Sequence, residues 1–246
     1  MSNKTYILAI DTATSSGGVA LSRQGELLGS IMMKTPFRYS QTIIHLIDFM
    51  LHQHNVKLSD VNFLAVANGP GSFTGIRVGL ACIKAFAQSL EKPVIAISTL
   101  EALAYRFRWH DMQVATVVEA GRHQIYGAVY KNTPNLPQLK LAEQVSTLEH
   151  WLKTLPSGPC LFVGDGVWRH KEVIKKNHSE AHIVTTNNRI LENMCALAEL
   201  HANKGNIILP HKLNGNYVRP PDAEINKKNK VNLDKKKQSL NPFTAA

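Results

Sequence analysis

Two stretches of this 246-residue chain open alike. Residues 6–22, "YILAIDTATSSGGVALS", and residues 113–131, "QVATVVEAGRHQIYGAVYK", each read as an apolar strand, a tight turn and a second strand. After the first, "ELLGSIMMK" supplies a third strand. "SQTIIHLIDFMLHQHN" is a helix over 40–54, "NFLAVANG" a buried strand, and residues 73–90 a second helix. "KPVIAIS" is an apolar strand of the parallel-sheet type, followed by helical "TLEALAYRFR". After the restart come "PCLFVGDGV", a strand ending in a glycine turn, and "TNNRILENMCALAELHANKG", a helix begun by Thr or Asn. A repeated strand meander followed by alternating helices and strands predicts an α/β chain of two related domains with a cleft between them. The expected boundaries are 1–108, 109–205, an extended segment 206–225 and a tail 226–246.

Charge is concentrated at one end. Six lysines and one aspartate between Lys227 and Lys237 place five of the ten net positive charges in a polar, aperiodic tail. That tail reads as disordered and carries no base readout of its own. Cys82, Cys160 and Cys195 are scattered, with no Cys-x-x-Cys pair, so reduced thiols in a cytoplasmic protein are expected. The apolar run before Asp11 is too short for a membrane span.

The loop "GPGSFTG" asks whether a phosphate binds here. It lacks the lysine of a Walker loop, and its glycines, Gly69, Gly71 and Gly75, miss the dinucleotide spacing. Asp11 and Thr12 at a strand end, with Gly69, Gly71 and Ser72 ahead of a helix, form a nucleotide-like constellation. A stand-alone ATPase or phosphotransferase using Asp11 and this loop is the alternative function. His45, Asp48 and His52 share one helix face, read as a solvated face; no metal site is expected.

The two helices point elsewhere. In the first, Ile43, Ile44, Leu46, Ile47, Phe49, Met50 and Leu51 cover an arc of about 220°, roughly twice the ~100° stripe that one core needs. In the second, Gly75, Gly79, Cys82 and Phe86 fall on one side and Ile76, Leu80, Ile83 and Ala87 on another. Either one core buries both helices or a partner chain covers part of them. The expected partner surface is Ile43, Ile47, Met50, Gly75, Gly79, Cys82 and Phe86.

Together, "ILAIDTATSSGGVAL", "NGPGSFTGIRVGLACIKAFA", "PVIAISTLEALA", "GDGVWRH" and "YVRPPDAE" resemble the TsaB (YeaZ) family of glycoprotease-like proteins. The resemblance runs from residue 6 to about 225. It implies an actin-like, Hsp70-like ATPase fold and a non-catalytic role beside TsaD, with TsaE and the upstream enzyme TsaC. That machinery places threonylcarbamoyladenosine next to the anticodon of tRNAs reading ANN codons. ATP and a metal are then expected in the partner subunits, with no cofactor of this chain's own. TsaD, or a second copy of this chain, would pack against the first two helices, and tRNA would be met through the complex. The metal pair of the catalytic sister falls on Thr99 and Leu103 here, aligned through Glu101; neither suits a transition metal. Two departures from the family pattern stand out: Tyr39 replaces a frequent histidine, and Glu119–Gly121 reads "EAG" where "DAR" is usual.

Overall fold

The computed structural model describes residues 5–34, 39–131, 133, 135–185 and 188–219. The tail expected over 226–246, and Pro220–Pro221, lie outside the described residues.

The chain builds one pattern twice. The first copy runs β1 (Tyr6–Asp11), β2 (Gly17–Arg23), β3 (Glu26–Met33), α1 (Tyr39–Gln53), β4 (Val61–Gly69), α2 (Phe73–Ser89), β5 (Val94–Ser98) and α3 (Thr99–Tyr105). The second runs β6 (Gln113–Gly121), β7 (Gln124–Lys131), β8 (Gln138–Ser146), α4 (Leu148–Leu152), β9 (Cys160–Val163), α5 (Asp165–Asn177), β10 (Ala181–Val184) and α6 (Leu191–Asn203). The sheets order as β3-β2-β1-β4-β5 and β8-β7-β6-β9-β10, so the topologies coincide. In each, the first three strands pair antiparallel and the last two join in parallel. This duplicated α/β architecture is the two-domain actin-like ATPase fold, with RNase H-like halves.

Strands β1 and β4 are buried along both faces, which is why they read as continuous apolar runs rather than alternations. Helices α1 and α2 pack on the first sheet through β2, β3 and β4. Helices α4 and α5 do the same for the second sheet, over a separate core built round Trp151 and Phe162.

One expected boundary needs correction. The 109–205 boundary places helix α6 in the second domain, but it packs on β1, β2, β4 and β5 of the first sheet. Leu191, Met194, Cys195, Leu197 and Ala198 join the first core. Helix α3 lies between the sheets, against β4 and β5 on one side and β6 and β7 on the other. The closing helices therefore stitch the halves together. Glu101 of α3 and His201 of α6 meet at 3.1 Å. The strap after α6 returns to the first sheet too, where Ile208 bridges to Val94.

Other expectations shift locally. Helix α6 begins after Ile190, without a side-chain cap, rather than at Thr or Asn. "GDGV" opens helix α5 rather than closing a turn. Strand β8, polar and mostly outward-facing, has too little apolar alternation to be read from sequence.

Candidate functional site

The β1–β2 turn and the start of α2 are locked into each other. Asp11 is fully buried. Its Oδ1 accepts from the amides of Ala13 at 2.8 Å and Thr14 at 3.2 Å, and its Oδ2 accepts from the Thr14 hydroxyl at 2.5 Å. Burial pushes this carboxyl above its ordinary range, against the pull of those hydrogen bonds. The Thr12 hydroxyl donates to the Gly75 carbonyl at 2.7 Å, and the Ser72 amide to the Ala13 carbonyl at 2.9 Å. Ser72 caps α2, its Oγ accepting from the Gly75 amide at 3.2 Å.

This close approach requires glycine. A Cβ on Gly75 would sit 1.9 Å from the Thr12 carbonyl oxygen, and one on Gly79 would sit 2.5 Å from Thr12 Oγ1. The expectation that Gly75 and Gly79 face a partner is therefore corrected: they face the chain's own turn and strand β4. The nucleotide-like set divides: Gly71 and Ser72 line the cleft, whereas Asp11, Thr12 and Gly69 are buried behind it. Asp11 and Thr12 spend their polar atoms on the turn, Gly71 packs against the Ala13 carbonyl, and Gly69 lies beneath Asn216. Of that set, only Ser72 is exposed.

Tyr39 has a structural use. Its hydroxyl accepts from the Gly17 amide at 2.7 Å and lies 3.2 Å from the Met33 carbonyl, tying α1 to the hairpin. Burial raises its phenol above the usual value.

The cleft between the halves holds two adjoining cavities of about 370 and 280 Å³. The first is walled by the loop 70–74 and by Tyr126, Tyr217 and Arg219; the second by Thr14, Thr99, Glu119, Asp165 and Asn188. Glu119 meets His170 at 3.0 Å and Arg169 at 3.5 Å, and Arg219 donates to the Ala120 carbonyl at 2.7 Å. The "EAG" segment is thus held by α5 and by the C-terminal strap. Thr99 lines the cleft, whereas Leu103 is wholly in the core. Among the described residues no group of three or more His, Cys, Asp or Glu side chains could hold a metal.

Sequence reasoning missed Glu143. On β8, it accepts from Tyr130 Oη at 2.8 Å, from Ser98 Oγ at the start of α3, and from Asn216 Nδ2 of the strap. One carboxylate so ties both halves and the C-terminal segment. Its strand carried no signal that it would be found there.

The outer face of α1 and α2 is the other candidate site. Ile44 and Phe49 are 48% and 55% exposed, and Leu46, Cys82 and Phe86 are half-buried. A groove of about 470 Å³ runs between Ile44, Ile47, Leu51, Val56, Leu58 and Phe86. Of the residues expected at a partner surface, Ile43 and Met50 turn inward and are buried by the first sheet, whereas Ile47, also buried, lies at the floor of that groove. The 220° arc divides: one part covers β2 and β3, the remainder faces out. Burial raises the Cys82 thiol to about 11 and those of Cys160 and Cys195 to about 12, which suits none of them to nucleophilic work near neutrality.

A family model described as "TsaD: tRNA N6-adenosine threonylcarbamoyltransferase" matches residues 35–167. The tRNA threonylcarbamoyladenosine biosynthesis protein TsaB of Bacillus subtilis is 32% identical, over 69% of this chain and 75% of its own. The chain belongs to the TsaB family. It does so within the wider domain family that the TsaD model describes. TsaB of Haemophilus influenzae is 30% identical over 76% of this chain and 83% of its own. The solved YeaZ structure of Pseudomonas aeruginosa superposes with a TM-score of 0.76 at 25% identity, covering 87% of this chain and 99% of that one. The membership places this chain in tRNA threonylcarbamoyladenosine biosynthesis. Among the described residues no helix is long and apolar enough to cross a membrane.

Proposed function

We propose that this chain is a non-catalytic, cytoplasmic subunit of the tRNA threonylcarbamoyl transferase, docking through α1 and α2 onto a TsaD-type subunit that performs the transfer. The observation that carries this reading is surplus apolar surface: Ile44 is half-exposed at the rim of the groove that Phe86 of α2 also lines, and Phe49 is exposed on the opposite flank of α1, although the helix already buries Ile43, Ile47 and Met50. Exposed apolar surface gathered at a groove marks a docking site. The TsaD model's match to residues 35–167, which include both helices, favours a related partner meeting this face with a like one. A second copy of this chain could use the same face, and TsaE would join the assembled complex.

Two features support a non-catalytic role. The cleft position that would carry a metal ligand holds Thr99, and its companion Leu103 lies in the core. The carboxylate that a phosphotransferase of this fold would use, Asp11, is wrapped in its own turn. ATP and metal then belong to the partner subunits.

Co-expression with a TsaD-type subunit followed by size-exclusion chromatography tests the proposal. A stable heterodimer is expected, with transfer activity only when both chains are present. Calorimetry of the isolated chain with Mg-ATP should show no binding. Tight binding with turnover would favour the stand-alone ATPase instead.

A further inference from the structure

From the end of α3 toward β6 the chain alternates rings and basic side chains: Tyr105, Arg106, Phe107, Arg108, Trp109, His110. Trp109 is 71% exposed, the highest value for a large apolar side chain among the described residues. Its position is ordered from beneath. The Arg108 guanidinium carbon lies 4.5 Å from the ring centre of buried Tyr105 and 5.2 Å from that of Trp109. Arg108 Nη1 also donates to the Tyr105 carbonyl at 3.4 Å. A cation anchored on a core tyrosine thus supports an indole that stands in solvent. Such support lowers the entropy lost when a ligand stacks on the ring.

The surroundings are basic. Arg106 and His110 are exposed on either side. Lys131, also exposed, ends β7 opposite Gln113, where the linker enters the second sheet. Between Tyr105 and Gln113 the only carboxylate is Asp111. A planar ring flanked by Arg106, His110 and Lys131 matches a strand that offers both π-faces and phosphates. Protein hot spots also pair Trp with Arg, so co-elution with a protein partner is the readout that separates the two.

We propose that Trp109 is a stacking platform for an unpaired nucleobase of RNA, with Arg106, His110 and Lys131 meeting the adjoining phosphates. The proposal rests on the reading that this chain works within a tRNA-modifying complex, and it assigns the chain an RNA contact of its own, away from the α1–α2 face.

The test uses the full chain. Trp151 is wholly buried, so in a Trp168→Phe background Trp109 is the one exposed indole. An anticodon stem-loop RNA from a tRNA reading an ANN codon should quench its emission, and a blunt RNA duplex should not. By anisotropy of the labelled stem-loop, Trp109→Ala should weaken binding about five- to a hundredfold, whereas Trp109→Phe, which keeps a ring, should stay within about threefold. The Ala deficit should persist at raised salt, where phosphate contacts and any contribution of the lysine tail are suppressed. Affinity within twofold of wild type for Trp109→Ala overturns the proposal. So does loss of co-elution with the TsaD-type subunit, which would make the patch a protein interface. If the wild-type chain fails to form that complex while stem-loop binding still tracks Trp109, the subunit reading fails and the RNA platform stands.

Discussion

Helices α1 and α2 occupy the same places in the first half that α4 and α5 occupy in the second, yet their outer faces differ. Helix α5 buries Val167 and Ile174 and turns a single large apolar side chain, Trp168, outward among Arg169, Glu172, Lys175 and Lys176. Its ion pair, Lys171 with Glu172 at 3.8 Å, is a surface contact of little worth. Helix α1 buries an equivalent stripe and then adds Ile44 and Phe49 outside it. One stripe is enough to hold a helix on its sheet, as α5 demonstrates. The apolar side chains flanking the buried stripe of α1, Ile44 on the groove side and Phe49 on the other, are not needed to hold it on the sheet, and a partner accounts for them.

The comparison breaks most readily on the inner side. Gly75→Val should drive a side chain into the Thr12 carbonyl and cost about 3 kcal/mol or more, with a correspondingly lower urea midpoint. A near-wild-type midpoint would mean that the hairpin can move away from α2. Gly79→Glu should likewise destabilise the isolated chain, because its side chain would start against Thr12 and Val66.

On the outer side the expected effect moves from folding to association. Ile44→Glu and Phe49→Glu should leave the midpoint within about 0.5 kcal/mol of wild type, as surface changes do. Either should weaken binding of the TsaD-type subunit about a hundredfold or more, by placing a charge in an apolar contact. Chromatography that still shows a tight heterodimer with Phe49→Glu would remove the face from the interface.

The Asp11 turn gives a subtler contrast, in pH. Burial raises its carboxyl, so the folded chain holds that proton more firmly than the unfolded chain does. The stability this contributes is present in full below the ordinary carboxylate value and is lost as pH rises through the raised one. Asp11→Asn keeps an acceptor for the amides of Ala13 and Thr14 and does not titrate. Urea melts across that window should show wild type losing ground to the variant as pH increases; parallel curves would contradict it.

The smallest effect belongs to the second half. Lys175→Glu on α5 should change neither the urea midpoint nor the heterodimer, because Lys175 stands in solvent. A clear loss of partner binding would show that α5 also docks, and that the two layers are less different than their coatings suggest.

Much of this was legible in the chain itself. The apolar runs of β1, β4 and β5 and the restart at Gln113 foretold two α/β halves, because strands buried on both faces must be apolar throughout. The limits of α1 and α2 were legible for a similar reason: each runs about four turns of unbroken periodicity, and α2 opens on a serine cap, which are local signals. Polar, outward strand β8 gave no such signal, and Glu143 was lost with it.

What tertiary structure alone decided is which side of each apolar helix meets which neighbour. Gly75, Gly79, Cys82 and Phe86 lie on one line of α2. The β1–β2 turn covers the first pair, while Phe86 opens onto the groove beside α1. Helix α6 likewise has an apolar stripe that either sheet could bury; it lies on the first, and α3 fills the space between the two. Periodicity reports how much of a helix must leave water. It does not report what covers it, because burial is non-directional and the choice among neighbours is made by shape.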